Sequence, residues 1–178
     1  MHKKIPNTFT FISNFKKEEI LNLDKNVGII FRNYENNHNR NKILELKHFC
    51  KSNNRKFYLA NNIKLAVNLD LDGVYIPAFN KNLCIKKFNI KKKFLILGSA
   101  HNIFEIKIKE KQGVQVIFLS PLFKTKNYEK GLGIIKFNIL SFLSTKKIIA
   151  LGGINEKNVN KIKITNTYGF SGISYFKK

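Results

Sequence analysis

Eight short apolar runs recur along the chain, and they limit what it can fold into. They are Thr8–Ser13, Val27–Phe31, Lys56–Ala60, Gly73–Ile76, Phe94–Gly98, Val114–Leu119, Lys147–Leu151 and Gly169–Ile173. Most are near-continuous rather than alternating, the pattern of strands covered on both faces. Stretches with helical spacing lie between them. Lys42–Phe49 sets Ile43, Leu44, Leu46 and Phe49 on one side, and Ile103–Ile108 and Ile134–Phe142 look alike. Asn155 predicts an N-cap for a helix over Glu156–Ile164, with Glu156 in its first turn. Strand and helix alternate about eight times, which predicts a parallel α/β protein and favours a closed (β/α)8 TIM barrel. An open doubly wound sheet is the alternative. No Gly-x-Gly-x-x-Gly follows the first strand, which counts against a dinucleotide fold.

The barrel must be compact. Eight units in 178 residues leave roughly 22 residues each, against about 30 in a typical barrel, so helices are short and loops tight. The last strand ends close to Lys178, which predicts that the final helix is lacking and that a homo-oligomer could cover the gap. One domain over residues 1–178 is expected, with no linker and no internal repeat. No apolar run reaches membrane-spanning length, and the basic start lacks a signal-peptide core, so a cytoplasmic protein without a membrane partner is expected. Cys50 and Cys84 have no metal-ligand spacing and read as free thiols.

The net charge of +22 invites a nucleic-acid reading. Arginine occurs only at Arg32, Arg40 and Arg55, the lysines are spread over the whole length, and Asn and Ile are abundant. That is the bias of AT-rich coding, with Lys standing in for Arg across a surface. The aromatics sit inside strand-like runs and read as core rather than as base-stacking platforms. No specific nucleic-acid partner is expected.

The chemistry-bearing residues fall at predicted strand ends. Gly152-Gly153 follows an apolar strand, and such a turn lets backbone N–H groups approach a phosphate. Arg32 ends another strand on the face where barrel active sites lie. Lys124, Lys126 and Lys130 make a lysine-rich loop suited to covering an anion, and Ser99 caps a helix or touches a ligand.

Read in order, five segments resemble a known family. They are Phe57–Ala66, Asp72–Ile76, Leu97-Gly98-Ser99-Ala100-His101, Ser120-Pro121-Leu122-Phe123-Lys124-Thr125 and Gly152-Gly153-Ile154. The likeness is to thiamin phosphate synthase and its relative TenI, the thiazole tautomerase, and runs from about Phe9 to Phe176. The resemblance implies a (β/α)8 barrel. It implies an enzyme of thiamin biosynthesis that joins hydroxymethylpyrimidine diphosphate to thiazole phosphate and releases pyrophosphate by a dissociative route. A TenI-like tautomerase acting on thiazole phosphate, or a catalytically silent phosphate binder, are the alternatives.

The resemblance also implies roles. Arg32 is the clamp arginine, and the lysine expected two residues later is Tyr34. The two magnesium-binding aspartates fall at Asn61 and Asn80, so magnesium is expected to bind weakly or not at all. The Gly-Gln pair expected after strand four is Pro77-Ala78. The loop lysine after strand six falls near Tyr128, with Lys126 and Lys130 close by. Ser120, Thr125, Gly152, Gly153 and the strand-eight end, including Phe176 and Lys177, form the monophosphate half. Ser99 orients pyrophosphate, and His101 stands where the tautomerase moves a proton.

Overall fold

The structure is a computed structural model, and it describes residues 5–34, 39–84 and 88–176. The strands are β1 (Thr8–Ile12), β2 (Gly28–Phe31), β3 (Phe57–Ala60), β4 (Gly73–Ile76), β5 (Leu95–Ala100), β6 (Val116–Leu119), β7 (Lys147–Leu151) and β8 (Gly169–Ser171). All neighbouring pairs are parallel, and β8 returns to β1 through Thr8–Phe170 and Phe9–Ser171, closing the barrel. The helices are α1 (Lys17–Leu21), α2 (Arg40–Ser52), α3 (Ile63–Asn68), α4 (Ile103–Lys111) and α5 (Gly133–Phe142). The closed sheet excludes the open doubly wound alternative.

Two cores hold it together. Inside the barrel Phe9, Tyr58 and Phe118 are fully buried, and Phe11, Tyr75 and Phe118 pack edge to face at 5.1–6.0 Å. Rings this large fit because Gly28 and Gly73 leave room: a Cβ on Gly28 would lie 2.6 Å from Phe9, and one on Gly73 2.9 Å from Tyr58. The second core lies between sheet and helices, where Ile43 and Leu46 of α2, Ile106 of α4 and Phe137 of α5 meet the outward residues of the strands. This two-sided covering is why the strands read as unbroken apolar runs.

The economy is met by omission. Among the described residues no α-helix joins β4 to β5, and none follows β8, where residues 174–176 make a turn. The helix expected over Glu156–Ile164 is instead a 3-10 helix at Val159–Ile164. The Asn155 side chain accepts from the Lys157 N–H, making a local turn rather than a cap, and the β-branched Val159, Ile162 and Ile164 favour a short tight segment. Both cysteines are free, and burial pushes the Cys50 thiol up to about 12, leaving it unreactive. No helix among the described residues is long and apolar enough to cross a membrane.

Candidate functional site

Parallel closure places every strand's C-terminal end at one mouth. Arg32, Asn61, Asn80, His101, Ser120 and Gly152 each lie just beyond such an end. On the β2 side the Arg32 guanidinium lies over the Phe11 ring, 4.7 Å from its centroid, while its backbone N–H donates to Ile12 O. The aromatic face holds the planar cation without neutralising it, so its charge stays available to an anion. Beyond it Tyr34 meets Phe79 edge to face at 5.8 Å, joining the loops after β2 and β4. Burial raises the Tyr34 phenol, and Arg32 opposes that shift.

Asn61 and Asn80 are brought together. Asn80 Nδ2 donates to Asn61 Oδ1 at 2.7 Å, and Asn80 Oδ1 accepts from Asn82 N at 3.0 Å. Asn61 holds a left-handed backbone (φ 58°), which Asn tolerates better than most residues. Both amide oxygens that could face a magnesium ion thus already accept N–H bonds, and neither carries charge. No group of three or more His, Cys, Asp or Glu side chains stands together among the described residues. This donor set does not fit magnesium.

On the β5–β6 side His101 Nδ1 is 2.8 Å from Ser120 O and 3.3 Å from Ser120 Oγ. A carbonyl only accepts, so Nδ1 carries a proton, and in the neutral imidazole the lone pair falls on Nε2. The imidazole stacks on Tyr128 at 5.9 Å, and Glu105 Oε2 accepts the His101 backbone N–H at 2.7 Å, anchoring the residue to α4. Ser99 is buried and hydrogen-bonds Tyr75, opposing the rise that burial gives the Tyr75 phenol. It faces the barrel's aromatic layer.

The loops after β6 and β7 are zipped together. Leu122 N donates to Leu151 O and Phe123 N to Gly152 O. Gly152 and Gly153 have φ of +96° and +70°, and a Cβ on Gly153 would lie 2.4 Å from Lys124 O. Thr125 and Tyr128 exchange backbone bonds, closing a turn that displays exposed Lys126 and Lys130. Phe176 stacks on Phe170, and Lys177 lies outside the described residues.

Of the predicted residues, Arg32, Asn61, Asn80, His101, Ser120, Thr125 and the glycine pair follow strand ends at one mouth, where side-chain bonds join Asn80 to Asn61 and His101 to Ser120, while Ser99 faces the interior. A cavity of about 1000 Å³ lies next to this mouth, between the loop after β1 and helices α1 and α2, lined by Ser13, Phe15, Lys17, Lys42 and Glu45 among others. It holds none of the predicted site residues. The sequence reading missed Phe11 and Tyr75, which cushion Arg32 and Ser99, and the buried pair Lys109 and Gln112 beneath Asn80. Lys109 and Gln112 fall three and six residues after the buried Ile106, so they continue the inner stripe of α4, a signal visible in the sequence.

Known proteins match the same frame. The thiamine monophosphate synthase family model, which includes TenI, matches residues 19–176. A thiamine-phosphate synthase of Prochlorococcus marinus is 32% identical over 121 residues, 67% of this chain and 35% of that protein. The match thus spans about a third of that relative's length. A thiamine-phosphate synthase of Flavobacterium psychrophilum is 26% identical over 182 residues, 93% of this chain and 88% of that protein. A thiamine phosphate pyrophosphorylase from Pyrococcus furiosus shares the fold, with a TM-score of 0.75 at 17% identity over 95% of this chain and 86% of that one. The chain belongs to the thiamine monophosphate synthase family.

Proposed function

We propose that this chain joins hydroxymethylpyrimidine diphosphate to thiazole phosphate, giving thiamin phosphate and pyrophosphate. The observation that carries the reading is Arg32, stacked over Phe11 with no ion pair to a carboxylate among the described residues, at the same mouth as the Gly152-Gly153 turn. The reaction needs two anion sites, one for the departing diphosphate and one for the thiazole phosphate. Arg32, Lys126 and Lys130 serve the first; Thr125 and the glycine turn serve the second. The pyrimidine methylene C–O bond breaks with its electron pair leaving on pyrophosphate, and the thiazole nitrogen lone pair then forms the new C–N bond. The Asn61–Asn80 pair brings no charge to hold magnesium against the diphosphate. The cationic side chains meet the leaving-group charge. Arg32→Ala should raise KM for the diphosphate by about 100-fold, or about 2.7 kcal/mol. Thiamin phosphate formation in chelator, with both substrates supplied, is the test; no product would overturn the reading.

One observation favours tautomerisation as a second reading. The Ser120 carbonyl leaves His101 Nε2 as a base at the mouth. Solvent deuterium entering thiazole phosphate without pyrimidine diphosphate would support it. Self-association would use the exposed ridge Ile135, Ile139 and Phe142 of α5. That ridge is uncharged, whereas two chains of +22 repel elsewhere. Sedimentation of the native chain against Phe142→Glu tests this.

A further inference from the structure

Helix α4 carries one side chain at odds with its surroundings. Lys109 is fully buried. A buried ammonium is tolerated only when its N–H groups are met. Here all three are: Nζ donates to Pro77 O at 2.8 Å, to Asn80 O at 2.7 Å and to Gln112 Oε1 at 3.0 Å. Gln112, also fully buried, donates from Nε2 to Asn80 O and Asn82 O, each at 2.9 Å. The carboxylate that acts on Lys109 is Glu105, one turn earlier, and its Oε2 accepts from the His101 N–H. Burial pushes the Lys109 pKa down to about 8, so at neutral pH it keeps its three donors.

Two of its three acceptors are backbone carbonyls, Pro77 O and Asn80 O. They belong to the loop after β4, which has no α-helix of its own among the described residues. The same loop presents Asn80 to Asn61. Contacts therefore run from Lys109 Nζ to Asn80 O, and from the Asn80 side chain to Asn61 on the next strand end.

We propose that Lys109 is a positioning residue: a buried resident cation that fixes the loop after β4, and through Asn80 the Asn61 amide, in the arrangement the diphosphate substrate meets. The site's order then comes from the chain's own charge and does not depend on a divalent ion. The part concerning substrate rests on the synthase reading above; the part concerning the loop does not.

Lys109→Met tests both parts in the full chain. Amide hydrogen exchange of Asn80, Asn82 and Cys84, whose N–H groups are bonded within this loop, should speed up at least tenfold, while amides of β1 and β7 stay within twofold. Chelator should change neither pattern. KM for hydroxymethylpyrimidine diphosphate should rise about tenfold, with KM for thiazole phosphate unchanged. Lys109→Arg keeps a cation and several donors, and should recover part of the protection. Unchanged loop exchange in Lys109→Met overturns the proposal, as does an equal rise in both KM values, which a general loss of packing would give. If Lys109→Met does not fold, Lys109→Gln, which keeps an N–H donor but removes the charge and the reach of the ammonium, is read in the same way. If the native chain uses neither substrate, the synthase reading fails, and loop exchange alone decides the role of Lys109.

Discussion

Asn80 and Asn61 share one hydrogen bond, Nδ2 to Oδ1 at 2.7 Å, across the gap between the ends of β3 and β4. Two carboxylates could not stand this close without a cation or a shared proton. Two amides pair unaided. The amide pair is satisfied by its own hydrogen bond and offers no charge to attract a metal.

Asn61→Asp with Asn80→Asp should reverse this. The double variant should gain magnesium affinity by at least tenfold over the native chain and lose stability when magnesium is withheld. Calorimetric titration with magnesium chloride checks the first effect and thermal melts the second. Native binding already in the micromolar range would mean that the amide pair does not exclude the ion.

Gly153 and Gly133 separate backbone strain from crowding. Both have left-handed φ, +70° and +69°. A Cβ on Gly133 meets nothing within 4 Å, whereas one on Gly153 lies 2.4 Å from Lys124 O and 2.8 Å from Phe123. Gly133→Ala should cost about 1 kcal/mol, the strain alone. Gly153→Ala should cost about 3 kcal/mol or more and abolish thiazole-phosphate binding, because the β6 loop must move. Denaturant unfolding of the two variants measures the difference.

His101→Ala divides the two functional readings. If His101 moves a proton on thiazole phosphate, deuterium incorporation should fall by about 100-fold or more. Coupling of the two substrates needs no proton transfer at that nitrogen and should fall far less. Equal loss in both assays would assign His101 to substrate placement.

The barrel was legible because it depends on local signals. Gly73–Ile76 and Lys147–Leu151 read as strands with the observed boundaries, since residues buried on both faces leave unbroken apolar runs. The rim was legible in turn, because parallel closure puts every strand end at one mouth. What failed was contact between distant segments. The Asn61–Asn80 bond joins two loops 19 residues apart, and nothing in either segment announces it. Asn155 offered a helix cap by spacing, but its side chain closed a turn on Lys157. Lys109 resembled the many surface lysines, and only its step of three from Ile106 separated it from them.

Lys109 also carries a pH signature. Its pKa falls from an ordinary 10.5 to about 8 in the folded chain, because burial disfavours the charged form. Below about pH 8 both folded and unfolded chains hold the proton, and the full cost of burying the charge is present. Between about 8 and 10.5 the unfolded chain holds more protons than the folded one, so this residue makes stability rise with pH. Tyr58, Tyr75 and Cys50, all raised by burial, act the other way at high pH. They are common to the native chain and Lys109→Met, and cancel in the difference. The native chain should therefore gain on the order of 2 kcal/mol relative to Lys109→Met between pH 8 and pH 10. Urea unfolding of both proteins at the two pH values measures the gap. A gap that stays flat would mean that the three oxygen acceptors keep the ammonium charged to pH 10, and that its grip on the loop after β4 is stronger than burial alone allows.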